Sequence, residues 1–111
     1  MKVSSLENSK ETEVSHNPRI KKKVLVSNGE VEHITNFSRA VFPPNEIASA
    51  HSHSDLTEVF FVESGEGIIS INGKNIPLVT GMCITVDANE IHELRNTGET
   101  DLIVLYFGIE T

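Results

Sequence analysis

An all-β fold, a jelly-roll β-barrel, is predicted by three features of this sequence. Its apolar content comes mainly from Ile, Val and Leu, with five Phe, one Tyr and no Trp, and β-branched residues favour strands. Turn signals recur about every eight to twelve residues between short alternating stretches, and no stretch carries a helical period. His51, His53, Glu58 and His92 are metal-ligating residue types set on well-separated stretches. Periodicity alone leaves an immunoglobulin-like sandwich and a jelly roll both open. The four residues favour the jelly roll, because side chains from distant strands can meet inside a barrel.

The elements follow in order. Residues 1–18 are polar, lack apolar periodicity and end at Pro18, which reads as a flexible or extended arm before a single domain over residues 19–111. Residues 24–27 form a short strand and residues 27–30, Ser-Asn-Gly-Glu, a turn. A longer strand is expected over 31–42, with Thr35, Phe37, Arg39 and Val41 on one face and Asn36, Ser38, Ala40 and Phe42 on the other. Pro43-Pro44 ends it, since proline cannot donate to a ladder. The next strand or its approach opens at residues 51–53.

Residues 58–62 form a strand with Glu58, Phe60 and Val62 on one face, which predicts Phe60 and Val62 as dry walls beneath a metal. Gly65-Glu-Gly67 turns the chain into a strand at 68–71. Asn72-Gly73 is a type I′ hairpin signal that returns it through 74–79. Strands at 82–86, 92–96 and 102–107 complete the set, with His92, Leu94 and Asn96 sharing a face.

Spacing gives the four polar residues their chemistry. Side chains at i and i+2 of a strand point to one side, so His51 and His53 can converge on one point. Glu58 adds an oxygen donor and His92 a third imidazole. Imidazoles with one carboxylate suit Fe, Mn, Zn, Ni or Cu and not calcium or magnesium.

The flanking residues carry a resemblance. The first stretch reads Pro43-Pro44-Asn45, five residues, His51-Ser-His53, four residues, Glu58, six residues, Gly65. The second reads Gly81, five residues, Asp87-Ala88-Asn89, two residues, His92, three residues, Asn96. In order and with a short spacer, these resemble the two conserved motifs of the cupin superfamily, in its small single-domain form. The resemblance covers residues 43–96, extended by strands to about 24–107. It implies a cupin-type jelly-roll barrel with one divalent transition metal per chain, held by His51, His53, Glu58 and His92. Asn45 and Asn89 stand where the motifs have glycine, and asparagine is the non-glycine residue that best tolerates positive φ. Asp87 replaces a proline and keeps a side chain able to cap a turn.

Composition narrows the partners. At 111 residues the chain has room for one core. Formal charge is −7, and residues 31–111 carry only Arg39, Lys74 and Arg95 against twelve acidic residues. An acidic body of this kind argues against nucleic acid. Lys21-Lys22-Lys23 reads as a solvated strand edge. No apolar run approaches a membrane span, and the N-terminus shows no signal-like apolar stretch. The single cysteine, Cys83, is expected as a small buried hydrophobe in a reducing, cytoplasmic setting. His16 and His33 are expected on the surface. A homodimer is expected, because so small a barrel buries limited apolar surface alone.

An open metal among these ligands could polarise a carbonyl or activate water, which points to a small metalloenzyme of the dioxygenase, isomerase or lyase type. Its ligand would be a keto acid, diketone or sugar acid. Arg39, if inward, and Tyr106 are the candidate catalytic residues, and Ser54 and Asp55 the candidate donors behind an imidazole. The alternative is a non-catalytic, metal-dependent module that binds or senses a small ligand. It draws on the thin supply of acid–base residues.

Overall fold

Alternation along the chain resolves into two antiparallel sheets with no helix between them. The computed structural model describes residues 1–111. Its strands are β1 (Glu11–Val14), β2 (Asn17–Val26), β3 (Phe37–Phe42), β4 (Ile47–His51), β5 (Leu56–Ser64), β6 (Glu66–Ile71), β7 (Lys74–Val79), β8 (Cys83–Val86), β9 (His92–Asn96) and β10 (Leu102–Glu110). One sheet has the order β1-β2-β3-β10-β5-β8 and the other β4-β9-β6-β7. The jelly roll is therefore as predicted, but the two sheets do not join into one closed hydrogen-bonded barrel. No helix is long and apolar enough to cross a membrane.

The inner faces supply the core. Ala40 and Phe42 of β3, Phe60 and Val62 of β5, and Leu102 and Val104 of β10 pack with Ile69, Leu78 and Leu94 of the smaller sheet. Fully burying one such aliphatic side chain stabilises the fold by about 1.5–3 kcal/mol. The period of two also decides Cys83. Ile84 and Val86 are the buried residues of β8, so Cys83 falls on the other side and is exposed. Apolar neighbours in sequence misplace it, because adjacent residues of a strand face opposite ways.

The N-terminal half differs most from expectation. Within residues 1–18, Glu11–Val14 is a strand paired with β2. β2 itself starts at Asn17 and takes in the whole lysine run. Cross-strand charge explains this: Glu11 is opposite Lys23 and Glu13 opposite Lys21, and opposite-charge pairs across a ladder contribute roughly 0.2–1 kcal/mol each. The long strand expected over 31–42 is only β3. Gly29 (φ 93) and His33 (φ 68) turn the backbone before it, and only an isolated bridge, Ile34 to Ile109, precedes the strand.

Turn chemistry at the motifs is conserved in function. Asn45 (φ 69) and Asn89 (φ 71) both adopt the positive φ expected of the glycines they replace. Asn72 (φ 50) and Gly73 (φ 82) make the predicted primed turn between β6 and β7. Gly65 has φ 89, and a Cβ there would run into the backbone of Asp101. At Asp87 the cap comes from elsewhere: its N–H donates to the Glu90 carboxylate at 2.7 Å.

Candidate metal centre

Three strands and one loop bring the four predicted residues together. His51 ends β4 and His92 opens β9, where the two are register partners beyond an irregularity after Ala48. His53 lies two residues past β4, and Glu58 comes across from β5 in the other sheet. One ligand atom from each lies within 4.8 Å of all the others. Glu58 Oε1 is 3.0 Å from His92 Nε2 and 3.2 Å from His53 Nε2. The His51 and His92 rings stand 4.3 Å apart.

Burial is graded: His92 is 1% exposed, the Glu58 side chain 14% and that of His53 35%. The centre is thus closed on the β9 side and open toward His51 and His53.

The donor set fits a metal on its own chemistry. His92 Nδ1 donates to the Glu90 carbonyl at 3.1 Å, and His51 Nδ1 to the Ser49 carbonyl at 2.8 Å. Each bond assigns the proton to Nδ1 and turns the Nε2 lone pair inward, as ligation requires. A neutral Nε2 facing a carboxylate at 3.0 Å sets lone pair against lone pair, which only a cation relieves. In the metal-free protein that cation is a proton. Burial opposes a charge on His92, but the bonds to the Glu58 carboxylate and the Glu90 carbonyl outweigh it and raise its pKa.

The expected donors behind the imidazoles are not Ser54 and Asp55. Both are exposed, and backbone carbonyls take that role. A carbonyl has no residue-type signature, which is why the sequence does not reveal it.

Beside the centre lies a cavity of about 530 Å³. Phe60 lines it as predicted, together with Leu94, Ala48 and Val104. Val62 does not; it is wholly buried in the core beneath. Tyr106 lines the cavity and stacks on Phe60 with ring centroids 5.6 Å apart. Burial, with the nearby Glu58 charge adding, pushes its hydroxyl up to about 12. The buried Ser38 hydroxyl of the neighbouring strand opposes that shift yet makes no hydrogen bond of good geometry.

Arg39 lies on the outer face of β3, donating through Nε and Nη2 to the Glu63 carboxylate at 2.9 and 2.8 Å. It is absent from the cavity. Four residues of the N-terminal hairpin are present there instead: Val14 from β1, Ser15 and His16 from its turn and Lys22 from β2. His16 is exposed, as expected, but stands at the rim of the cavity; His33 is exposed and away from it.

The last residue of the second motif builds the frame. Asn96, 2% exposed, donates through Nδ2 to the carbonyls of Phe42 and Thr100 at 2.8 Å each. Its Oδ1 accepts from Gly98 N–H at 2.8 Å.

Two facing sheets with a His-x-His, Glu and His cluster inside them define a class. The cupin domain family model matches residues 38–108, and the chain belongs to the cupin family. An oxalate-binding protein of Thermotoga maritima is 36% identical over 66 residues, which are 60% of this chain and 54% of that protein. The matched segment thus spans about half of that relative. The crystal structure of a predicted oxalate decarboxylase from Thermotoga maritima superposes with a TM-score of 0.91 at 26% identity, covering 99% of this chain and all of that one. A sugar phosphate isomerase of the cupin superfamily from Silicibacter pomeroyi shares the fold, with a TM-score of 0.83 at 17% identity over 100% of this chain and 76% of that one.

Proposed function

We propose that the chain holds one divalent transition metal (Fe, Mn, Zn, Ni or Cu) through His51, His53, Glu58 and His92. There it binds a compact oxyacid by two adjacent oxygens. The observation that carries this reading is four converging ligand atoms within 4.8 Å at one side of a cavity with dry walls. Bound there, the metal would supply Lewis-acid polarisation of a ligand oxygen. The chain's own part is to hold both imidazoles by backbone carbonyls, to exclude water with Phe60 and Leu94, and to keep a proton on Tyr106. The relative named for oxalate binding supports a ligand of this chemistry.

Turnover is favoured by Tyr106. Its hydroxyl stays protonated at neutral pH and lies on the cavity wall, a place from which to donate to a developing oxyanion. A binding module without turnover is the second reading, favoured because no carboxylate beyond the ligand Glu58 lines the cavity. Metal analysis of untagged protein, then calorimetry with oxalate, pyruvate and acetate, tests the proposal. About one metal per chain and binding of oxalate and pyruvate but not acetate supports it. No metal, or equal binding of acetate, overturns it. Chromatographic product analysis of the same mixtures separates enzyme from binder.

The outer face of the six-stranded sheet carries Phe37, Val41, Val59, Phe61, Leu105 and Phe107, with Phe61 40% exposed. A homodimer through this face, in a reducing cytoplasm that keeps exposed Cys83 a thiol, completes the proposal. Sedimentation at the mass of one chain, 12.2 kDa, at micromolar concentration would refute the dimer.

A further inference from the structure

Ser38 carries the one buried side-chain polar atom without a hydrogen bond. It is 0% exposed, on the inner face of β3 with Ala40 and Phe42. Alanine would fill the same place without the cost of a desolvated hydroxyl. A serine there adds nothing to the core, so its use lies in what it faces.

Its surroundings leave a single candidate. In the ladder Ser38 is opposite Val24 of β2 on one side and Tyr106 of β10 on the other. Asn36, two residues earlier, already accepts the Asn28 N–H through Oδ1 at 2.7 Å. The phenol of Tyr106 is the polar side chain that remains. The Ser38 hydroxyl is near enough to draw the phenol pKa down against burial. The two hydroxyls thus approach without completing a hydrogen bond, as groups that act on a ligand often do before it arrives.

Donor and acceptor roles follow from counting. Each hydroxyl has one proton to give and lone pairs to receive. The phenol oxygen is the side-chain acceptor beside the Ser38 proton, whereas Tyr106 also borders the cavity. Both are satisfied when Ser38 donates to Tyr106 and Tyr106 donates into the cavity. The reverse order turns the phenol proton to the wall and leaves the Ser38 proton unpaired. The ring itself is held, stacked on Phe60 at 5.6 Å with planes 22° apart. Phe60 in turn stands 6.0 Å from the His92 ring. Stacking sets where the phenol oxygen lies; the serine sets where its proton points. A donated bond also polarises the phenol and makes it the stronger donor.

We propose that Ser38 is a positioning residue for Tyr106: its hydroxyl donates to the phenol oxygen and turns the phenol proton toward a ligand oxygen in the cavity. This rests on the oxyacid reading above and names the residue that aims its proton donor.

The chain has one Tyr and no Trp, so the ultraviolet resonance Raman doublet of tyrosine reports on Tyr106 alone. It distinguishes a phenol that accepts a hydrogen bond from one that only donates. In zinc-loaded protein with pyruvate, wild type is expected to show the accepting form and Ser38→Ala to lose it. Calorimetry should find pyruvate bound about fivefold more weakly by Ser38→Ala and about tenfold more weakly by Tyr106→Phe. Adding Ser38→Ala to Tyr106→Phe should cost nothing more. The urea midpoint of Ser38→Ala should not fall below that of wild type, since the change removes an unpaired hydroxyl. A serine needed only for packing would give a lower midpoint and an unchanged doublet. An unchanged doublet, an unchanged pyruvate affinity or a further loss in the double variant overturns the assignment. If wild type binds neither pyruvate nor oxalate, the oxyacid reading falls instead. The doublet of the ligand-free protein, compared with that of Ser38→Ala, then decides whether Ser38 holds the phenol.

Discussion

The backbone N–H of Asn89 donates to the carbonyl of His53 at 2.7 Å. One residue belongs to the turn of the second motif and the other is a ligand of the first. The bond sets the two halves of the centre in register, and it depends on the positive φ of Asn89 (71°). Asn89→Gly should therefore be close to neutral. Asn89→Val should cost about 1–2 kcal/mol, the penalty for a left-handed residue with a branched Cβ, and should weaken metal binding as well. Denaturant melts and metal titration of both variants check this. Equal metal affinity in the two would show that the turn does not govern the site.

His53→Ala and His92→Ala should each lose most metal occupancy while keeping the strand signature in circular dichroism, because the twelve-residue apolar core excludes both. Elemental analysis after gel filtration measures the occupancy. Stoichiometric metal in the double variant would remove these residues from the centre.

The effect of pH should differ in sign between the two forms. In metal-free protein the His92 pKa is raised above 6.5. The proton it retains contributes stability that is full below that value and is lost as pH rises through the folded pKa. Ligation needs that proton gone, so metal binding strengthens over the same interval. The gap in Tm between metal-loaded and metal-free protein should widen between about pH 6 and pH 8. A constant gap would mean that His92 does not exchange its proton for metal.

Asn96→Leu should be among the most damaging single changes. It removes three hydrogen bonds and leaves the Phe42 and Thr100 carbonyls without their donor. At about 1 kcal/mol per bond plus the desolvation of orphaned groups, a loss of roughly 3 kcal/mol is expected in urea melts. A loss under about 1 kcal/mol would mean that water replaces the amide.

Arg39 and Glu63 test the opposite case. The Arg39 guanidinium holds the Glu63 carboxyl below its usual range, so the pair stabilises above the unfolded carboxylate pKa and its effect fades as pH falls through the folded value. The Glu63 side chain is 38% exposed, and screening keeps such a pair within about 1 kcal/mol. Arg39→Met should leave metal and ligand binding unchanged by calorimetry. A drop in ligand affinity would put Arg39 back among the binding residues.

Much of the centre was legible because strand geometry writes itself into residue spacing. His51 and His53 are two apart, and asparagine at positions 45 and 89 satisfies a backbone rule that glycine also satisfies. What escaped notice involves partners remote in sequence or without side-chain identity. Lys21-Lys22-Lys23 reads as a polar edge until Glu11 and Glu13 are set across from it. Alternation says which residues share a face and not which face is inner, so it leaves open the sides of Arg39 and Lys22. The carbonyls of Ser49 and Glu90 orient two ligands, and any residue could have supplied them.

Glu58 belongs to the six-stranded sheet, whereas His51 and His92 belong to the four-stranded one. A bound ion would therefore act as a rivet between two plates that are otherwise held together by apolar contact, by the loops that join them and by a few polar bonds, such as those from Asn96 to the Phe42 carbonyl and from Asn17 to the Ile47 carbonyl. Removing it frees the open lip, where β4 is an exposed edge strand, before it disturbs the sealed end around Leu78 and Leu102. Amide exchange should register metal loss first in β4 and the loop to β5, and last in β10.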